Sequence, residues 1–152
     1  MIKKSLIITS TILFLDLLSK YLIFSFLDLN KSYVIIKNFF YISPLKNIGA
    51  AFSILENNNM LLITISILIL IYLILSLNKK KDKLFNYLSY GLLIGGLLGN
   101  LFDRLVFKYV RDFISFDIFG YSFPVFNIAD IAIVIGAILL CYVTFKGDKY
   151  EV

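Results

Sequence analysis

The sequence predicts an all-α membrane protein: four transmembrane helices with a small β-structured element on the extracytoplasmic side. Three observations lead there. Of the 152 residues 60% are hydrophobic, and the mean hydropathy is +0.89; soluble domains average about 45–50% apolar residues. The apolar residues fall into four long runs, and about 20 such residues cross a bilayer as a helix. Lysines gather at alternate breaks between the runs, as they do in cytoplasmic loops. The chain reads as one membrane-embedded domain over residues 1–152.

The first span covers about residues 5–27 and holds Asp16 and Lys20. Its basic start fits a signal peptide, but the apolar stretch is too long, carries two charges and lacks an A-x-A-like site, so it reads as a retained span. The outer β element covers about residues 28–58. There Ser32-Tyr33-Val34-Ile35-Ile36-Lys37 and Asn38-Phe39-Phe40-Tyr41-Ile42 alternate weakly, and Pro44 marks a break. Its tyrosines and phenylalanines are expected at headgroup level. The second span, about 60–77, has no charge. The third, about 84–105, repeats Gly91, Gly95 and Gly99, two overlapping G-x-x-x-G patterns that admit a close helix neighbour. Residues 106–123 read as an outer loop. The fourth span, about 124–145, starts at Pro124, which suits a first helical turn.

Lys3 and Lys4, then Lys79, Lys80, Lys81 and Lys83, then Lys146 and Lys149 mark three cytoplasmic segments, so both termini are expected inside. The two remaining loops mix fewer lysines with acids and are expected outside. The net charge of +5 is clustered in these topology signals, which argues against nucleic-acid binding, a function that needs a basic stripe on a soluble face. The absence of histidine removes most zinc-protease, Ser-His and Cys-His mechanisms. The single Cys141 lies in an apolar run and reads as a small buried hydrophobe; no intrachain disulfide is possible.

An Asp at a helix centre costs roughly 2.5–3.5 kcal/mol on insertion scales, so acids beside these spans need a reason. A carboxylate pair is the most economical catalytic apparatus available to this composition. Asp16 and Lys20 share a helix face. They read as a neutralising pair or a contact with other spans; Lys20 could also snorkel outward or act as a Ser-Lys base, though Ser19 points elsewhere. Continuing the glycine row by one step reaches Asp103. Asn100 is spaced to reach Asp103 and Arg104, and an Asp103–Arg104 pair anchoring the helix end is the plainer reading. Asn127 and Asp130 share a face within about two turns of the fourth helix start. Asp112 lies on the same outer side; spacing alone leaves open whether it meets Asp130.

These residues carry a resemblance. Asp16-x-x-x-Lys20, Asn47-x-Gly49-Ala50-Ala51-Phe52, Gly99-Asn100-x-x-Asp103-Arg104, Val110-x-Asp112-Phe113 and Phe126-Asn127-x-Ala129-Asp130 occur in order over essentially the whole chain. With them the sequence resembles the lipoprotein signal peptidase family, also called signal peptidase II. Lys108 stands where many members have glycine. The resemblance implies an aspartyl endopeptidase of the bacterial cytoplasmic membrane that works without metal or other cofactor. It cuts prolipoproteins just before a diacylglyceryl-modified cysteine, and it is sensitive to globomycin. It implies Asp112 and Asp130 as the catalytic pair and Asn47 and Arg104 as substrate or inhibitor contacts. Asn100, Asp103, Asn127, Asp16, Lys20 and Gly99 are implied as supports. The expected partners are the prolipoprotein and membrane lipid, with the protein monomeric and its active site toward the outer face. Without the resemblance, a small proton- or ion-coupled transporter, a membrane assembly factor and a carboxylate–Mg²⁺ enzyme acting on lipid phosphate also stay open. A transporter would place its acids near the midplane, whereas these sit toward one end.

Overall fold

A computed structural model describes residues 1–49, 58–77, 81 and 83–146. The expectations for Ala50, Ala51, Phe52, Lys79, Lys80 and Lys149 fall outside the described residues. The element order is α1 (Ile2–Phe26), β1 (Tyr33–Ile36), β2 (Phe40–Asn47), α2 (Asn59–Leu77), α3 (Leu84–Val106), β3 (Val110–Ile118), β4 (Tyr121–Ser122) and α4 (Ile128–Lys146). The helices have 25, 19, 23 and 19 residues, or roughly 28–38 Å at 1.5 Å per residue, enough to cross a hydrocarbon core of about 30 Å. All four are apolar enough to span a membrane. Thr11, Thr64 and Thr144 turn their hydroxyls onto carbonyls one turn back, which spares lipid an unsatisfied donor.

α3 is the central helix, packed against α1, α2 and α4. The glycine row explains how. A Cβ at Gly91 would lie 2.7 Å from the Ile8 side chain, and one at Gly95 2.9 Å from Ile12, so this row is the seat of α1. One position round the helix, a Cβ at Gly96 would lie 2.5 Å from the carbonyl oxygen of Ala129 in α4. Without a hydrophobic drive between helices in lipid, such close backbone approach supplies the packing. Leu70, Leu73, Leu77, Tyr90, Leu93 and Leu97 form an apolar core between α2 and α3. Cys141 is exposed on α4 rather than buried. In a helix facing lipid, an outward position is also apolar, so composition alone could not distinguish the two.

The strands form one antiparallel sheet in the order β1-β2-β3-β4 at the end of the bundle where α3 finishes and α4 begins. Three local expectations need correction. Asp112 lies in a strand, not a loop: β3 pairs with β2 from Phe40↔Phe116 to Asn47↔Val110, so the β element draws on both outer segments. Pro44 sits within β2, where the register shifts between Ile42 and Leu45; it marks a bulge, a position where proline's missing donor is tolerated, rather than an end. α4 begins at Ile128 rather than Pro124, because Phe126 is held in an isolated bridge to Ile114. At the far end of the sheet both hairpin tips expose apolar side chains, Ile36 and Phe39 beside Ile118 and Phe119, with Lys37 and Asn38 exposed in the first turn.

Candidate active site

Five elements bring their polar residues to one place: the last turns of α3, the first turn of α4, the inner ends of β2 and β3, and the middle of α1. The organising residue is Asn127, the N-cap of α4. Its Oδ1 accepts the Asp130 N–H at 2.9 Å, and the Asp130 carboxylate accepts the Asn127 N–H at 3.1 Å. This is a reciprocal capping box with Asp at its third position. Pro124 therefore does not start the helix; Asn127 does. Asp130 falls in the first turn, at the positive end of the helix dipole.

The Asn127 amide then reaches outward. Its Nδ2 donates to Asp112 Oδ1 at 2.6 Å and to Asn100 Oδ1 at 3.2 Å. The other Asp112 oxygen accepts Asn47 Nδ2 at 2.8 Å. Asn100 Nδ2 donates to Asp130 Oδ1 at 2.7 Å, while its Oδ1 accepts Lys20 Nζ at 3.0 Å. The cation fixes which way the Asn100 amide points. Asp112 and Asp130 thus stand on either side of one asparagine, each held by two donors. Asp112 is 1% exposed. Burial, then the neighbouring charge of Asp130, push its carboxyl up to about 7, against the pull of the Asn47 and Asn127 hydrogen bonds.

Beneath this pair lies a closed set of four buried charges. Lys20 Nζ is 2.7 Å from Asp16 Oδ2 and 3.4 Å from Asp103 Oδ2, and Arg111 Nη2 is 2.7 Å from Asp103 Oδ1. Asp103 also accepts the Arg111 backbone N–H at 2.9 Å. The second Asp16 oxygen accepts the Ala129 N–H at 2.9 Å, capping another open donor of α4. Gly99 is the floor here, since a Cβ would collide with Asp16 Oδ2. Two expectations give way. Lys20 is fully buried and does not snorkel. Asp103 takes Lys20 and Arg111 as partners, and Asn100 turns to Asp130, so the spacing arguments joining Asn100, Asp103 and Arg104 miss the contacts made. Arg104 instead donates to the Gly49 carbonyl at 2.9 Å. Ser19 donates to the Asp16 carbonyl, away from any Ser-Lys pairing.

Asp112, Asp130, Asn47, Asn100 and Arg104 all line a cavity of about 1220 Å³, large for a drug-sized ligand and ample for a peptide segment. It lies between the sheet and α4. Against known families, residues 8–146 match the model for signal peptidase (SPase) II. The chain belongs to the signal peptidase II family.

Membership makes it a protease, and the four apolar helices make it a multi-pass membrane protein. It is 41% identical over 145 residues to the lipoprotein signal peptidase of Caldanaerobacter subterraneus subsp. tengcongensis, covering 94% of this chain and 97% of that one. To the Clostridium tetani lipoprotein signal peptidase it is 39% identical over 140 residues, covering 90% and 89%. A solved bacterial membrane enzyme, at 36% identity and a TM-score of 0.88, covers all of this signal peptidase II chain, 100%, and 96% of its own. A second has a TM-score of 0.84 at 36% identity and covers 98% and 96%. Arg111, the partner of Asp103, is the site residue that sequence reasoning missed. Val110-Arg111-Asp112-Phe113 does not alternate apolar with polar, so the strand whose register pairs Arg111 with Lys46 gave no periodic signal.

Proposed function

We propose that the chain is an intramembrane aspartyl endopeptidase that removes signal peptides from diacylglyceryl-modified prolipoproteins, cutting just before the lipidated cysteine. The observation that carries this reading is the pair of carboxylates, Asp112 and Asp130, clasped by one asparagine at the inner end of the cavity. Two close carboxylates resist ionising together and so tend to hold one proton between them. The ionised member takes a proton from a bound water. The water oxygen bonds to the scissile carbonyl carbon, and the protonated member hydrogen-bonds the oxygen as it gains charge. The C–N bond then breaks, and a carboxyl proton goes to the leaving nitrogen. The products are a signal peptide with a new carboxylate and a lipidated cysteine with a free amine. The pair titrates as a unit, so neither aspartate is assigned a fixed part.

Asn47 and Arg104 line the same cavity and supply donors to the substrate backbone. Asn100, Asn127, Gly99 and the charges of Asp16, Lys20 and Asp103 hold the two acids in place. Membrane lipid is the second partner, since the outward faces of the helices are apolar and the sheet tips expose Ile36, Phe39, Ile118 and Phe119. The site opens at the end of the bundle opposite Lys3, Lys4 and Lys146, which the positive-inside rule puts in the cytoplasm; the site then faces outward.

Purified protein in detergent, with a chelator present, should cleave a diacylglyceryl prolipoprotein before the cysteine, and globomycin should block it. Loss of cleavage on chelation, or full activity at saturating globomycin, would overturn the reading. For orientation, a cysteine replacing the fully exposed Phe119, in a Cys141→Ala background, should react with an impermeant reagent added outside whole protoplasts. Protection there with labelling only after lysis would invert the topology.

A further inference from the structure

The cavity has two unlike walls. On one side α4 and the segment before it present Val125, Phe126, Ile131, Val134 and Ile135. On the other the sheet presents Tyr41, Ser43, Ser115, Ser122 and the carboxylate of Asp117. Strict alternation would send Ser115 to the face opposite Asp112. It does not, because Phe113 and Ile114 both donate their N–H to the Phe126 carbonyl, at 3.0 and 2.8 Å. Two successive donors on one side make a bulge, which re-aims the residues beyond it. The bulge therefore lays Asp112, Ser115 and Asp117 along one cavity wall.

Among the described residues, Ser43 and Ser122 make their side-chain hydrogen bonds away from the cluster around Asp112 and Asp130. Ser43 Oγ donates to Ser32 Oγ at 2.9 Å, and Ser122 Oγ donates to Asp117 Oδ1 at 2.7 Å. Five charged residues line the cavity. Arg104, Lys46, Asp112 and Asp130 are at the inner end, with Lys46 opposite Arg111 in register and its ammonium 4.9 Å over the Tyr109 ring. Asp117 stands at the outer end. Hydroxyls make adaptable hydrogen bonds without demanding a sequence, and the Asp117 carboxylate beside Ser122 selects a sign of charge.

We propose that the sheet wall is a subsite for the substrate segment that follows the scissile bond, with Asp117 selecting positive charge there. This rests on the peptidase reading above. The signal helix and acyl chains are apolar and match the α4 wall, which is continuous with the lipid-facing surface. The segment after the cysteine must leave lipid for water, and the sheet lies beyond the helix ends in that direction. Asp117 is five residues along β3 from Asp112, roughly 15–17 Å at about 3.3 Å per residue. An extended substrate covers that distance in four or five residues. Asp117 therefore reads the fourth or fifth residue after the cut.

The test is a charge scan. Diacylglyceryl prolipoproteins with a single Lys or Asp at each position from the second to the eighth after the cut are assayed in low salt. The wild type should prefer Lys over Asp by about three- to five-fold in kcat/KM at the fourth or fifth position, the size expected when a partly exposed ion pair becomes a like-charge pair. The preference should fade to either side. Asp117→Asn should flatten it and Asp117→Lys should reverse it, while both still cleave a substrate truncated two residues after the cysteine at the wild-type rate. A ratio unmoved by either substitution, or a preference equal at every position, would overturn the subsite. If the wild type cuts none of these substrates, the peptidase reading fails instead.

Discussion

Asp112→Asn and Asp130→Asn should each reduce single-turnover cleavage by about 10²–10⁴-fold or more, the range for loss of a proton-transfer group, in protein that still folds. Asparagine keeps the shape of either acid but cannot take or give the proton. The double substitution should be scarcely worse than either single one, because groups that act as a unit are strongly non-additive. Near pH 4, where Asp112 is protonated in the fold, stability should move little. Substitution at Asp112 relieves repulsion with Asp130 but leaves an amide that accepts from only one of its two donors, Asn47 and Asn127.

The pH dependence is the sharper readout. Burial and the charge of Asp130 push the Asp112 carboxyl up to about 7 in the fold, so the pair keeps its shared proton to about that pH, whereas an unfolded aspartate releases its proton near 3.9. Between those values the folded state binds more protons, so this group makes stability fall as pH rises from about 4 to about 7. Asp112→Asn should remove that slope, melting closer to or above the wild type at pH 8 than at pH 4. In the wild type, cleavage should decline above about pH 7 as the pair loses its shared proton. Asp103→Asn should behave otherwise, losing stability along with activity, because Asp103 accepts both the backbone N–H and the guanidinium of Arg111. High activity in well-folded Asp112→Asn protein would remove Asp112 from the pair.

The four helices were legible because lipid imposes a single demand, about 20 apolar residues, that composition meets or fails. The glycine row on α3 was legible for the same kind of reason: a fourfold spacing marks a face whatever packs on it. The identities of the site residues came through motifs, but their contacts did not. Asn100 is correctly spaced for Asp103 and Arg104, yet it bonds Asp130 and Lys20, 30 and 80 residues away, because α1 and α4 seat on α3 more closely than any within-helix neighbour can reach. Strand β3 was hidden by its own bulge. A slip at Phe113 and Ile114 breaks the alternation by which a strand is recognised, and the same slip brings Asp112 and Asp117 to one wall. Arg111 was lost with the strand, since a loop arginine has no register and so no expected partner.

Lys20→Met should be the most destabilising of the conservative substitutions in the spans. Asp16, Asp103, Lys20 and Arg111 are all buried and sum to zero charge. Removing one cation leaves an uncompensated carboxylate, which costs about 3–5 kcal/mol for a buried pair. Methionine fills the space of the lysine stem, so a packing defect contributes little. The lost charge also frees Asn100, whose Oδ1 no longer faces a cation and whose grip on Asp130 loosens. Adding Asp16→Asn restores neutrality while keeping an acceptor for the Ala129 N–H. The double variant should therefore melt above Lys20→Met alone in detergent, although it carries one more substitution. Recovery should be partial, because Asp103 still lacks its contact with Lys20 and keeps only Arg111. Equal melting of single and double variants would mean that Asp16 and Lys20 are not coupled. The buried charges would then act through Asp103 and Arg111 alone.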